Sequence, residues 1–136
     1  MQIPRVLVVE DDPAVCILLE ALLSRRGYDC HVVHDGNEAM RQLRTQTWSA
    51  ILLDLMLPGA FGFDVIRFVR AERPWMADRI IVATAACAAT LRDFDASTVR
   101  ALVRKPFDIQ ELMMHVDACI ALDKVAIARA PCASPI

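Results

Sequence analysis

The chain has 136 residues, 56% of them hydrophobic and 24% charged, which describes a packed domain and excludes a disordered segment. Its net charge of −2 and pI near 5.9 remove the electrostatic footprint of a nucleic-acid binder. No apolar run reaches the length of a membrane span, and charges interrupt every long stretch.

Short β-branched runs alternate with helix-period segments five times. Arg5 to Val9 reads as a strand covered on both faces, because its apolar run is nearly continuous. Asp12 followed by Pro13 supplies an N-cap and a first-turn proline, and apolar residues from Val15 to Leu23 recur at helical spacing until Gly27. Asp29 to Val33 is a second strand. Asp35 with Glu38 opens a second helix running to about Leu43. Ala50 to Leu55 is a third buried strand, stopped by Pro58-Gly59, and a third helix is expected around Asp64 to Ala71. Arg79 to Ala83 forms the fourth strand, and Ala88 to Ala96 a weaker helix. Ala101 to Arg104 forms the fifth strand, after which Asp108 and Glu111 cap a last helix. The expected domain covers residues 1–122, with 123–136 as a C-terminal tail that frays.

Five such units in this length predict a flavodoxin-like, doubly wound α/β fold with a parallel sheet in the order 2-1-3-4-5. Ligands of such sheets bind beyond the carboxyl ends of the strands. Polar residues stand at those ends here: Glu10, Asp11 and Asp12 after strand 1, Asp54 after strand 3, Thr84 after strand 4, and Lys105 after strand 5. Carboxylates gathered within a few ångströms cannot all stay ionised without compensation. A hard divalent cation supplies it, and Mg²⁺ suits few carboxylates, several waters and a phosphate, with Mn²⁺ as the alternative. One carboxylate can then act as a nucleophile toward a phosphoryl group, while the metal and a lysine neutralise the transferring charge. Asp54 stands out because a carboxylate inside the apolar run ILLDLML is costly unless paired or functional.

The segments VLVVEDD, LLDLMLPG, VATA and VRKPF, in that order and spacing, resemble a response-regulator receiver domain over residues 4 to 121. The resemblance implies Glu10 and Asp11 as the metal-binding acids, Asp54 as the phosphoryl acceptor and Met56 as a backbone-carbonyl ligand. It further implies Thr84 as the switch hydroxyl, Lys105 as the phosphate-pairing lysine, and a cis bond between Lys105 and Pro106. Asp12 caps the first helix. The implied partners are a sensor histidine kinase or a phosphotransfer protein as donor and a downstream protein, with no direct nucleic acid and no membrane insertion. A monomer or weak dimer that is not a turnover enzyme is expected.

Three departures from the family pattern are visible. Leu102 stands where the family usually carries an aromatic residue, the stretch between Thr84 and Lys105 is short, and Phe61 replaces a usual acid. A receiver-fold docking module that ignores phosphorylation is therefore the alternative. An aspartate-nucleophile phosphatase would need DxDxT where this chain reads Asp54-Leu55-Met56, and a flavodoxin-type carrier would need a hydroxyl-rich loop where this chain is acidic. The five cysteines stand singly without a CxxC pair, and the N-terminus meets acid too early for a signal peptide, so reduced thiols in the cytoplasm are expected. Cys30, His31 and His34 lack the second ligand pair of a zinc site.

Overall fold

The computed structural model describes residues 3–57 and 61–129, with side chains described through Leu122. Five parallel strands, β1 (Arg5–Val9), β2 (Asp29–Val33), β3 (Ala50–Leu53), β4 (Ile80–Thr84) and β5 (Ala101–Arg104), form one sheet in the order β2-β1-β3-β4-β5. The connecting helices are α1 (Pro13–Arg25), α2 (Gly36–Thr45), α3 (Gly62–Glu72), α4 (Ala88–Leu91) and α5 (Ile109–Arg129). This is the flavodoxin-like topology expected from the alternation.

The sheet is buried on both sides, and the strand pleat sorts each apolar run between two cores. Along β1, Val6 and Val8 face α1 and α5 together with Leu52, Ile81, Val103, Leu112 and Val116. Leu7 and Val9 face the opposite layer with Leu53, Val82, Leu43, Val65 and Val69 of α2 and α3. Trp48 is fully buried in that second layer, and its Nε1 donates to the Gln42 carbonyl at 3.2 Å.

Local capping follows the residues. The Asp12 carboxylate accepts from the Ala14 N–H at 2.9 Å, and Asp35 accepts from the Glu38 N–H at 2.8 Å. Gly27, with φ +81°, ends α1 in the left-handed region that favours glycine.

Several boundaries differ from the sequence expectation. β3 stops at Leu53 instead of Leu55, because the chain leaves the ladder after Asp54 and bends at Leu55 and Met56. The bend is held by Asp54 N–H on the Val9 carbonyl at 3.1 Å and Gly62 N–H on the Leu55 carbonyl at 2.9 Å. α3 begins at Gly62 rather than Asp64, whose carboxylate accepts from the Phe61 N–H. β4 is shifted by one residue because Arg79 closes a 3-10 turn over Pro74–Arg79. The weak fourth helix shrinks to the single turn Ala88–Leu91, followed by a 3-10 turn at Ala96–Thr98. Asp95, which accepts from both the Ser97 N–H and hydroxyl, organises that second turn and ends any continuation of α4. The α5 backbone continues to Arg129, past Asp123 where fraying was expected. The Pro58-Gly59 stop and the end of the tail (130–136) lie outside the described residues.

Tyr28 ties α5 to the end of α1: its hydroxyl donates to Asp117 at 2.7 Å, and Asp117 also pairs with Arg26. Burial, then the hydrogen bond to Asp117 and its negative charge, push the phenol up to about 12, against a small opposing pull from Arg26. Because the folded pKa lies above the ordinary 10.0, this stabilisation is complete below pH 10 and is lost as pH rises toward 12. Tyr28 is the single tyrosine of the chain, so an absorbance titration reads it directly. A midpoint near 12 in the folded protein, falling to the ordinary value in denaturant, is the expected result; an ordinary midpoint while folded would refute it.

Candidate functional site

At the carboxyl edge of the sheet, the first residues past β1, β3 and β5 converge with the last residue of β4. Glu10, Asp54 and Thr84 are 3%, 7% and 0% exposed, which sets them apart as the buried polar group of an otherwise apolar interior. Asp54 is the hub. Its Oδ1 accepts from the Thr84 hydroxyl at 2.9 Å and from the Met56 N–H at 3.0 Å. Its Oδ2 accepts from Lys105 Nζ at 3.1 Å. Lys105 also donates to Glu10 Oε1, so one ammonium bridges both buried carboxylates. The remaining Glu10 oxygen accepts from the Asp12 N–H at 3.2 Å.

Parallel register explains why these groups meet. The pairs Val9↔Val33 and Val9↔Leu53 end β2, β1 and β3 at one level, and Thr84↔Arg104 does the same for β4 and β5. Lys105 N–H on the Thr84 carbonyl at 2.9 Å holds the last pair together past the ladder. The Lys105-Pro106 peptide bond is cis, as the resemblance implied.

Carboxylate oxygens of Glu10, Asp11 and Asp54 lie within 4.8 Å of one another, with Asp11 exposed at the rim. An all-oxygen set with one solvent-facing member fits a hard cation that keeps several waters. Burial raises the pKa of Glu10, helped by the neighbouring Asp54 charge, and prevails over the opposing hydrogen bonds from Lys105 and the Asp12 N–H. Burial also works against the Lys105 charge, yet its hydrogen bonds to Glu10 and Asp54 prevail and hold its pKa above the ordinary value. The ammonium is thus kept charged where an incoming anion would need it.

Glu10, Asp11, Asp54, Thr84 and Lys105, named from the sequence, all lie at this edge. Met56 contributes its N–H to Asp54, and its side chain is 48% exposed beside the acid. Asp12 serves as the α1 cap. Among the described residues, Cys30, His31 and His34 form no metal-spaced group. His31 instead meets Trp48 edge-on at 5.4 Å, and His34 Nδ1 lies 3.2 Å from the Glu10 carbonyl oxygen.

Three supporting contacts were not anticipated. The Ala86 N–H donates to Thr84 Oγ1 at 3.2 Å, and Cys16 Sγ donates to the Glu10 carbonyl at 3.3 Å. The third is Gly62, where a Cβ would sit 2.6 Å from the Asp54 carbonyl oxygen. The glycine pair Gly59 and Gly62, three positions apart in the sequence PGAFG, could have signalled Gly62; the backbone donor of Ala86 leaves no mark in sequence.

A family model for the response regulator receiver domain matches residues 6–117. The chain belongs to that family. Among its relatives is the transcriptional regulatory protein TcrA of Mycobacterium tuberculosis, 33% identical over 114 residues, or 84% of this chain and 45% of TcrA. This receiver therefore spans about half the length of that relative. Two solved receivers are similar as well. The receiver domain of sensor histidine kinase PA1611 from Pseudomonas aeruginosa has Mg²⁺ coordinated in its active-site cleft; it is 30% identical with a TM-score of 0.78, covering 88% of this chain and 99% of that one. TrrA from Thermotoga maritima, in complex with Mg²⁺-BeF, is 28% identical with a TM-score of 0.76, over 86% of this chain and 99% of TrrA. Receivers are signalling modules of two-component systems and not turnover enzymes. No helix among the described residues is long and apolar enough to cross a membrane.

Proposed function

We propose that this receiver accepts a phosphoryl group on Asp54 from a phosphohistidine of a sensor kinase or phosphotransfer protein, in a Mg²⁺-dependent phosphorelay in the cytoplasm. The observation that carries the reading is the double anchoring of Asp54. One oxygen is held by the Thr84 hydroxyl and Met56 N–H and the other by Lys105, so the carboxylate is fixed in orientation from both sides.

In the reaction, a bond forms between an Asp54 carboxylate oxygen and phosphorus while the phosphorus–nitrogen bond to the donor imidazole breaks. Lys105 can follow the charge from the carboxylate to an equatorial phosphoryl oxygen, because its long side chain already spans two acids. The Thr84 hydroxyl, released from Asp54 Oδ1, can donate to another phosphoryl oxygen. Glu10, Asp11, Asp54 and the Met56 carbonyl would hold Mg²⁺, with Mn²⁺ as a substitute; bound there, the cation neutralises the anionic oxygens of the transferring group.

Incubation with a small phosphodonor, or with beryllofluoride, tests this directly. Wild-type protein is expected to be modified once, by intact mass, with Mg²⁺ present and to remain unmodified after chelation. Unmodified protein in the presence of Mg²⁺ would sink the phosphoacceptor reading.

A second reading, docking that ignores phosphorylation, draws support from the readout side of the molecule. Leu102, half-buried against the α2–α3 core and paired with Val82, replaces the aromatic that usually reports the event, and α4 is one turn long. Modified protein whose partner affinity is unchanged would favour that reading.

A further inference from the structure

The two acids past the end of β1 are joined by a single peptide group. Its oxygen is the Glu10 carbonyl and its nitrogen belongs to Asp11, so the tilt of this one plane sets how the two carboxylates stand to each other. The sheet does not fix that tilt. Its last contacts here are the Glu10 N–H on the Val33 carbonyl at 3.0 Å and the Asp54 N–H on the Val9 carbonyl at 3.1 Å. Among the described residues, no backbone N–H reaches the Glu10 carbonyl.

Two side chains from different elements do so instead. Cys16, buried one turn into α1, donates its thiol to the Glu10 carbonyl at 3.3 Å. His34, the first residue past β2, brings Nδ1 to the same oxygen at 3.2 Å. A carbonyl oxygen only accepts, so Nδ1 carries the proton in this contact. Such an oxygen can take two hydrogen bonds, and here both come from side chains. Neither Cys16 nor His34 touches Asp54, whose oxygens are held separately by Thr84, Met56 and Lys105.

We propose that Cys16 and His34 are positioning residues for cation binding, which clamp the Glu10–Asp11 peptide so that both carboxylates stand ready for one Mg²⁺. The proposal rests on the reading of Glu10, Asp11 and Asp54 as the cation site. Glu10 is buried and Asp11 is exposed at the rim, so an unclamped peptide would let the exposed acid turn away into solvent. Ordering it only when the cation arrives costs affinity, and fixing it beforehand avoids that cost. Groups that orient ligands without touching the ion typically carry about 10- to 100-fold in affinity. Two donors on a backbone carbonyl, one of them a weak S–H, belong at the lower end of that range.

Isothermal titration calorimetry of the full chain with Mg²⁺ alone, and no phosphodonor, tests the clamp. His34→Leu removes the ring donor while keeping a branched side chain, and His34→Asn restores an N–H one bond beyond Cγ, where Nδ1 stood. Cys16→Ala and Cys16→Ser form the matching pair at the other donor. His34→Leu and Cys16→Ala are each expected to weaken Mg²⁺ binding about five- to tenfold, with His34→Asn and Cys16→Ser within about twofold of wild type. Circular dichroism confirms that each variant folds, and His34 is exposed, so its pair gives the answer even if the buried Cys16 pair loses stability. Mg²⁺ binding equal in wild type and all variants overturns the clamp and leaves the cation site standing. His34→Asn as weak as His34→Leu also overturns it, because the ring would then act by shape and not through its N–H. Wild type that binds no Mg²⁺ overturns the cation site itself, and the clamp with it.

Discussion

Asp54→Asn is expected to abolish phosphorylation by small phosphodonors and by phosphohistidine donors, a loss of about 10³-fold or more, equivalent to about 4 kcal/mol of barrier. The amide nitrogen is not a nucleophile, and the neutral side chain would be a weaker cation ligand beside Glu10 and Asp11 than the carboxylate. The fold should survive. The Asn oxygen can still accept from the Thr84 hydroxyl and the Met56 N–H, and Lys105 keeps its pairing with Glu10. Intact-mass analysis after phosphodonor treatment, read beside a thermal melt, separates lost chemistry from lost structure. Modification of Asp54→Asn at the wild-type rate would place the acceptor elsewhere, with Asp11 as the first alternative because it is the exposed member of the cluster.

Gly62→Ala is expected to be strongly destabilising. An added Cβ would lie 2.5 Å from the Leu55 Cα and 2.6 Å from the Asp54 carbonyl oxygen. Both atoms belong to backbone that is pinned by hydrogen bonds to Val9 and Gly62, so neither can yield cheaply. Overpacking of this kind costs about 3 kcal/mol. Because the strain falls on the bend that aims Asp54, phosphorylation should slow even in the fraction that stays folded. Gly27→Ala makes the useful contrast. There a Cβ meets nothing within 4 Å, and only the positive φ is strained, which costs about 1–2 kcal/mol and leaves the acceptor untouched. Denaturant titration of the two variants, with phosphorylation of each measured under native conditions, checks both halves. A Gly62→Ala variant as stable and as reactive as wild type would refute the close-approach reading.

Much of the architecture was legible because it follows short-range rules. The Asp12 and Asp35 caps, the Gly27 stop and the apolar runs of β1 and β4 each rest on a few neighbouring residues, and the structure contains all of them. Failures of the local reading cluster where a distant contact overrides it. Leu55 reads as the end of an apolar strand, but the approach of Gly62 draws it out of the sheet. Ala88 to Ala96 reads as weakly helical, but the hydrogen bonds of Asp95 to Ser97 and the edge-on contact of Phe94 with Phe63 favour a turn.

The candidate site shows the same division. From the residues alone one could name Glu10, Asp11, Asp54, Thr84 and Lys105, because each is a polar group at the end of an apolar run, where ionised or hydroxyl side chains are costly without a purpose. Their spacing also sufficed to show the family. What only the tertiary structure decided is how they divide the charge: Lys105 spans Glu10 and Asp54, residues 95 and 51 positions away, while Thr84 and Met56 share the other Asp54 oxygen. It likewise decided that Leu102 packs toward α2 and α3 and that Cys16 and His34 meet on the Glu10 carbonyl. The physical reason is range. Propensity, capping and periodicity act over a few residues, whereas the site and the contacts that hold it are set by strand register and layer packing across the whole chain.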